Sequence, residues 1–182
     1  DVGQRTDTLR ATLRQEIEPA IARLAALCVS GPTSERLSLL GGAYKRLALI
    51  ESAENEHNDE QPSLRKPADG KRREALVNMA EHYGQAFALR GKPYAYTNWA
   101  SAALLVRRLY PEQPTDKPPL LGLDTIKQDV ARLRKQLEKK IASAPNFWDS
   151  AALADLDLVL AIAGKAADKP GKAARMMLLG ST

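Results

Sequence analysis

Apolar residues recur at helical spacing along almost the whole chain, and no segment alternates Val, Ile or Thr with polar residues as a half-buried strand would. Leu9, Leu13, Ile17, Ile21, Leu24 and Cys28 fall at steps of four, four, four, three and four, so they share one helix face, and Cys28 reads as core. Gly31-Pro32 ends that helix. A second helix is predicted over about Ser34 to Ala53, with Leu37, Leu40, Tyr44 and Leu47 as its stripe. The stretch from Asn55 to Gly70 mixes charges, Pro and Gly without a period and reads as a long surface loop. A third helix, about Lys71 to Leu89, closes at Arg90-Gly91, and Pro93 suits the first turn of a fourth that runs to about Tyr110. After the extended connector PEQPTDKPP come a fifth helix, marked by Ile126, Val130, Leu133, Leu137 and Ile141 with Asp124 as its N-cap, and a sixth from about Phe147 to Gly164. A last short helix follows Pro170-Gly171 and reaches about Leu179. The fold class is therefore all-α, built from antiparallel helical hairpins.

Composition narrows what such a fold can be used for. At 182 residues the chain is of the order of one domain and can bury a full core. One Cys cannot close an internal disulfide, and one Cys with two separated His does not supply a four-ligand zinc site, so we expect no metal and no cofactor. Without a long apolar run or a basic-then-apolar leader, neither a membrane span nor a signal peptide is expected, and the expected setting is cytoplasmic. The formal charge of +5 is mild. Its densest stretch, Arg132, Arg134, Lys135, Lys139 and Lys140, is interleaved with Asp129 and Glu138 as a solvated helix face would be, so DNA and RNA are not expected partners. No G-x-S-x-G, H-E-x-x-H, P-loop or Cys-His arrangement occurs, and the domain is not expected to be an enzyme.

Within the second helix, Leu40, Gly41 and Tyr44, with Ala53 nine residues on, match the L-G-x-x-Y and small-residue pattern of a tetratricopeptide repeat. A helical Gly costs about 1 kcal/mol relative to Ala, so Gly41 implies a closely approaching partner helix, which leaves Gly42 to be explained. Weaker echoes sit at Met79, Ala80 and Tyr83 and at Trp148, Ala151 and Ala152, so the repeats are degenerate. The runs SERLSLLGGAYKRLALI (Ser34 to Ile50), RGKPYAYTNWASAALL (Arg90 to Leu105) and NFWDSAALADLDLVLA (Asn146 to Ala161), in this order, resemble the TPR-S family of tetratricopeptide-type sensor domains. The resemblance spans about residues 30 to 165. It implies a ligand-sensing domain, attached to caspase-like or CHAT proteases and other effectors of bacterial antiviral systems. The ligand it implies is nucleotide-derived, such as a cyclic ADP-ribose isomer made from NAD by a TIR enzyme in Thoeris-type defence.

Three groups of residues are candidates for recognition. Glu35, Ser38, Gly42 and Lys45 share a face of the second helix, where small residues end in a cation, and Lys45 or Arg46 could meet a phosphate. Arg36, beside Glu35, joins this group. The alternative is that both cations are solvated and Gly42 merely admits another side chain. Arg90, Lys92, Tyr94, Tyr96, Asn98 and Trp99 form the second group, with Tyr94 placed to stack a base and Asn98 to meet a base edge or ribose. Tyr96 and Trp99 also share a stripe with Ala103, Val106 and Tyr110, which favours the core for them. In the third group, Trp148 and Asp155 lie on one stripe of the sixth helix with Ala152, Val159 and Ile162. Asp155 there needs a partner, either a ribose hydroxyl or, more commonly, an Arg of the protein. Phe147 and Trp148 are either a hydrophobic anchor or a stacking wall.

We therefore expect one helical sensor domain over 1–182, with hairpins over 5–110, the connector over 111–119 and C-terminal helices over 122–180. Because the chain starts at Asp1 and stops after an apolar stretch, it is expected to be the C-terminal part of a longer effector protein. Whether the ligand induces an oligomer is left open. The competing reading is a protein interaction scaffold whose concave face takes a peptide or partner helix.

Overall fold

A computed structural model describes residues 2–57, 62–110 and 121–166. Among them every element is an α-helix: α1 (Val2–Ser30), α2 (Ser34–His57), α3 (Pro62–Arg90), α4 (Pro93–Leu109), α5 (Leu123–Ser143) and α6 (Phe147–Ala166). The connector at 111–119 and the short helix expected at 170–179 lie outside the described residues. None of the described helices is long and apolar enough to cross a membrane.

Short connections make neighbours of successive helices: α1 packs on α2, α2 on α3, α3 on α4 and α5 on α6, and α6 also packs on α4. Two apolar clusters result. The first gathers Leu37 and Ala48 from α2, Leu76, Met79, Ala80 and Tyr83 from α3, and Ala95, Ala102, Leu105 and Val106 from α4. The second gathers Tyr96, Ala100 and Leu104 from α4, Ile126, Val130, Leu133 and Leu137 from α5, and Leu156, Val159 and Ile162 from α6. Helix α4 thus belongs to both clusters. Its small residues Ala95, Ala100, Ala102 and Ala103 are buried and let helices approach from opposite sides. The second cluster contains no residue of α2.

Local chemistry explains the boundaries. Gly91 takes the left-handed conformation (φ 62°) and its N–H closes onto the Phe87 carbonyl at 2.6 Å, ending α3 as expected for a C-terminal Gly. Helix α4 then starts on Pro93, whose missing N–H costs nothing in the first turn. The loop expected over Asn55 to Gly70 is corrected: α2 runs on to His57 and α3 begins at Pro62, again a Pro at a helix start, with Gly70 inside the helix. Ala53 therefore continues α2 and does not lie on a partner helix as the repeat pattern suggested. Asp124 is not the N-cap of α5 either. Gly122 holds that position with extended backbone, and Asp124 falls in the first turn, where its charge complements the positive end of the helix.

Gly41 serves the purpose expected of it. A Cβ there would lie 2.8 Å from the Tyr83 ring, so its absence lets α2 and α3 close on each other. The stripe of α1 is only partly used: Ile17, Ile21, Leu24 and Cys28 are half-buried, with Cys28 packed against the first cluster, while Leu9 and Leu13 are exposed.

Candidate functional site

The shared face of α2 forms one side of a polar region also bordered by α3, α4 and α6. At its centre is Lys45, half-buried, whose Nζ donates to Asn98 Oδ1 on α4 at 3.4 Å. Asn98 is itself buried and donates through Nδ2 to the Tyr94 carbonyl at 2.9 Å, which fixes its amide so that Oδ1 faces Lys45. Asp155, from α6, lies within electrostatic reach of Lys45. Burial pulls the Lys45 ammonium below the usual lysine range; Asp155 opposes this and Arg46 adds to it. Asp155 is exposed, yet partial desolvation by the neighbouring helices pushes its carboxyl up, and Lys45 pulls it back.

Tyr83 forms the floor beside this group. Its hydroxyl shares a hydrogen bond with that of Tyr94 at 3.2 Å, and the rings meet edge to face at 5.8 Å. Tyr83 is fully buried, and burial with the Tyr94 hydrogen bond raises its phenol well above the ordinary range. Sequence reading found Tyr83 only as a repeat echo; the signal that could have placed it in the site was the Gly41-Gly42 pair it packs against. A Cβ on Gly42 would sit 3.4 Å from the Tyr83 hydroxyl and 3.5 Å from Arg46 Nη1, an ordinary contact, so Gly42 opens space next to two polar groups. Arg46 donates to the Gly42 carbonyl at 3.1 Å and stays exposed. Ser38 is half-buried on the same face.

At the end of the region, Glu35 accepts from Arg90 at 3.0 Å and from Lys92 at 3.1 Å, drawing the α3–α4 turn onto the start of α2. Hydrogen bonding to its own backbone and then to Lys92 holds the Glu35 carboxyl below the usual range. Tyr94 keeps 55% of its surface exposed beside these charges. Lys45, Arg46, Arg90 and Lys92 face Glu35 and Asp155, leaving an excess of positive charge.

Four sequence-based candidates are placed otherwise. Arg36 donates to the Leu27 and Gly31 carbonyls at 3.3 and 2.7 Å, capping the end of α1, so its guanidinium is committed to the fold. Tyr96 is fully buried in the second cluster, and Trp99 packs between Gly84, Phe87 and Tyr96, which is the core reading of both. Trp148 lies with Phe147 at the exposed start of α6, 77% and 74% exposed, edge to face at 5.2 Å, and so neither is a buried anchor. The charge facing Asp155 comes from Lys45, where an Arg was expected.

A family model described as TPR-S, Tetratricopeptide Repeats-Sensor, matches residues 4–105, more than half of the chain. The chain belongs to this family. No curated protein and no solved structure gave a match. The TPR-S match takes in α1 to α3 and most of α4, and with them Glu35, Gly42, Lys45, Arg46, Tyr83, Arg90, Tyr94 and Asn98. It stops before α5 and α6, so Asp155 and Trp148 lie beyond the part that defines the TPR-S likeness.

Proposed function

We propose that this domain senses a nucleotide-derived second messenger, of the cyclic ADP-ribose type that a TIR enzyme makes from NAD, and binds it over the polar region between α2, α3, α4 and α6. The observation that carries the reading is Lys45: a half-buried ammonium, steered by Asn98 at 3.4 Å, with Arg46 next to it and Gly42 leaving room one turn before it. A phosphate would compensate such a cation better than water-exposed carboxylates do, because charge-assisted bonds to a doubly charged oxyanion gain most where water is scarce. In this reading Lys45 and Arg46 hold the phosphates, Tyr94 stacks on the base, and Arg90 and Lys92 contribute long-range attraction. Asn98 fixes Lys45 and Asp155 borders the ribose. The sensor would act in the cytoplasm on an attached or associated caspase-like protease or related effector of antiphage defence. It would itself carry no catalytic activity, no metal and no nucleic-acid partner. The bound ligand would act through whatever difference in affinity it has for two arrangements of the helices.

Isothermal titration of the domain with cyclic ADP-ribose isomers, ADP-ribose and NAD tests this. Saturable heat with at least one of them is expected, weakened more than tenfold in Lys45→Met. Absence of heat and of thermal shift with all of them overturns the proposal. A second reading, a protein-binding scaffold, is favoured by the exposed Phe147–Trp148 pair. It predicts that Trp148→Ala abolishes capture of a partner protein while nucleotides give no heat.

A further inference from the structure

Helix α6 is apolar on two opposite faces. Ala152, Leu156, Val159 and Ala163 fall at steps of four, three and four and belong to the second cluster, against α4 and α5. Phe147, Ala151, Ala154, Leu158 and Ala161 fall at steps of four, three, four and three on the other side. Leu158 is 56% exposed, and Ala154 and Ala161 are open to solvent as well, so no described helix covers this second stripe. A helix that is apolar all round is normally buried all round. Helix α4 follows that rule, with small and apolar residues on both sides and a cluster against each. Acidic residues flank the bare stripe of α6 at the level of Leu158: Asp155 on one side is exposed, and Asp157 on the other is exposed and pairs with Arg134 at 3.2 Å.

The sequence after α6 has the complementary character. Between Ala166, the last residue of α6, and Thr182 lie Pro170-Gly171, a chain-reversing pair, and the apolar run Met176 to Leu179. Lys169, Lys172 and Arg175 are the charged residues from 169 onward, with no acidic residue among them. Reach fits too. After a reversal at Pro170-Gly171, the eight residues from Lys172 to Leu179 return, as a helix, about 12 Å along α6, which is the level of Leu158. A second copy of this chain fits less well, because a two-fold pairing centred on Ala154 sets the two Asp155 carboxylates side by side. We propose that residues 170–179 fold back onto the bare face of α6, with Met176 and Leu179 over Ala161 and Leu158 and their cations toward the acidic flanks. The chain itself is then the partner of this face. Phe147 and Trp148 lie about 16 Å further along α6 and stay uncovered. Release of the segment would open a continuous apolar stripe from Phe147 to Ala161, so the segment guards an interaction surface. The inference is independent of the sensing role.

The test uses the whole chain. Hydrogen exchange is expected to find the amides of 172–179 protected in the parent and exchanging about tenfold faster in Leu158→Glu, with the amides of α2 and α3 unchanged. Unprotected exchange of 172–179 in the parent overturns the inference, and so does protection that survives Leu158→Glu. Paired cysteines then identify the occupant without relying on a destabilising charge. With Cys28→Ser to remove the native thiol, Leu158→Cys combined with Leu179→Cys is expected to close a disulfide within one chain on mild oxidation, read by mass and by size-exclusion as a monomer. Disulfide-linked dimers in its place assign the face to a second copy and overturn the inference, as does failure of the two thiols to join. Lys172→Glu combined with Arg175→Glu is expected to speed exchange of 172–179 severalfold at low salt and less at high salt, as screening removes the attraction to the acidic flanks. Exchange that is the same in this variant and the parent at low salt overturns the part assigned to charge.

Discussion

Gly41 meets the ring of Tyr83 so closely that an added Cβ would lie 2.8 to 3.0 Å from three ring carbons, whereas at Gly42 the nearest atom is the hydroxyl of the same side chain, at an ordinary contact distance of 3.4 Å. The two neighbours should therefore respond in opposite directions to one methyl group. In Gly41→Ala, overpacking of about 1–3 kcal/mol exceeds the gain of about 1 kcal/mol in helix propensity, so a net loss of up to about 2 kcal/mol is expected. In Gly42→Ala the propensity gain stands alone, and stability should rise by up to about 1 kcal/mol. Urea denaturation of the two variants decides; equal midpoints would mean that the Tyr83 ring yields to Gly41→Ala. The role of Gly41 was legible in sequence because L-G-x-x-Y encodes a close helix crossing. Arg36 was not legible, because whether a guanidinium near a helix start reaches a ligand or the carbonyls of the preceding helix depends on the path of the chain between them, which residue type does not reveal.

At the scale of elements, α1 illustrates how a regular stripe can overstate burial. Its spacing is helical from Leu9 to Cys28, yet Leu9 and Leu13 are exposed, because α1 has α2 alone as its main neighbour. What holds it there includes a bidentate ion pair, Arg14 to Glu51 at 2.9 and 3.0 Å, with Glu51 only 1% exposed. Removing one partner of such a pair leaves a buried charge behind. Arg14→Met is therefore expected to destabilise the domain by about 3 kcal/mol, the lower end for buried pairs because Arg14 is a quarter open to solvent. The double variant Arg14→Met with Glu51→Leu should recover most of that loss in the same denaturation assay. Nothing in the sequence pointed to the pair, since both residues sit at ordinary polar positions of their helices and only the packing brings them together across 37 residues. The start of α6 behaves in the opposite way. Phe147 and Trp148 look like an anchor in sequence and are exposed in the fold, so Trp148→Ala should shift stability by no more than about 0.5 kcal/mol.

For the whole molecule, the all-α class follows from periodicity alone, but the sharing of α4 between two clusters does not, because a helix lined with Ala on several sides has no single apolar stripe to read. The placement of Asp155 of α6 within electrostatic reach of Lys45 on α2 was equally hidden, because no local pattern spans that separation. Its consequence should be visible in the stability of the whole chain as a function of pH. Burial raises the folded-state pKa of Asp155 above its unfolded value, so as pH falls through the raised pKa the folded state takes up the proton first and gains stability, a gain complete below the unfolded value of about 4. Asp149, in the first turn of α6, has the reverse sign. Hydrogen bonds from Lys140 and then Asn146 lower its pKa, so the stability it lends is present above the unfolded value and is lost as pH falls through the lowered one. Relative to the parent, Asp155→Asn should therefore become less stable as the medium is acidified from pH 7 to about 4, and Asp149→Asn more stable as it is acidified further, from about 4 to about 2. Thermal unfolding of the three proteins across that range reads both slopes at once. Parallel curves would mean that the two carboxylates of α6 share one environment, and that Asp155 is not withdrawn from water beside Lys45 at all.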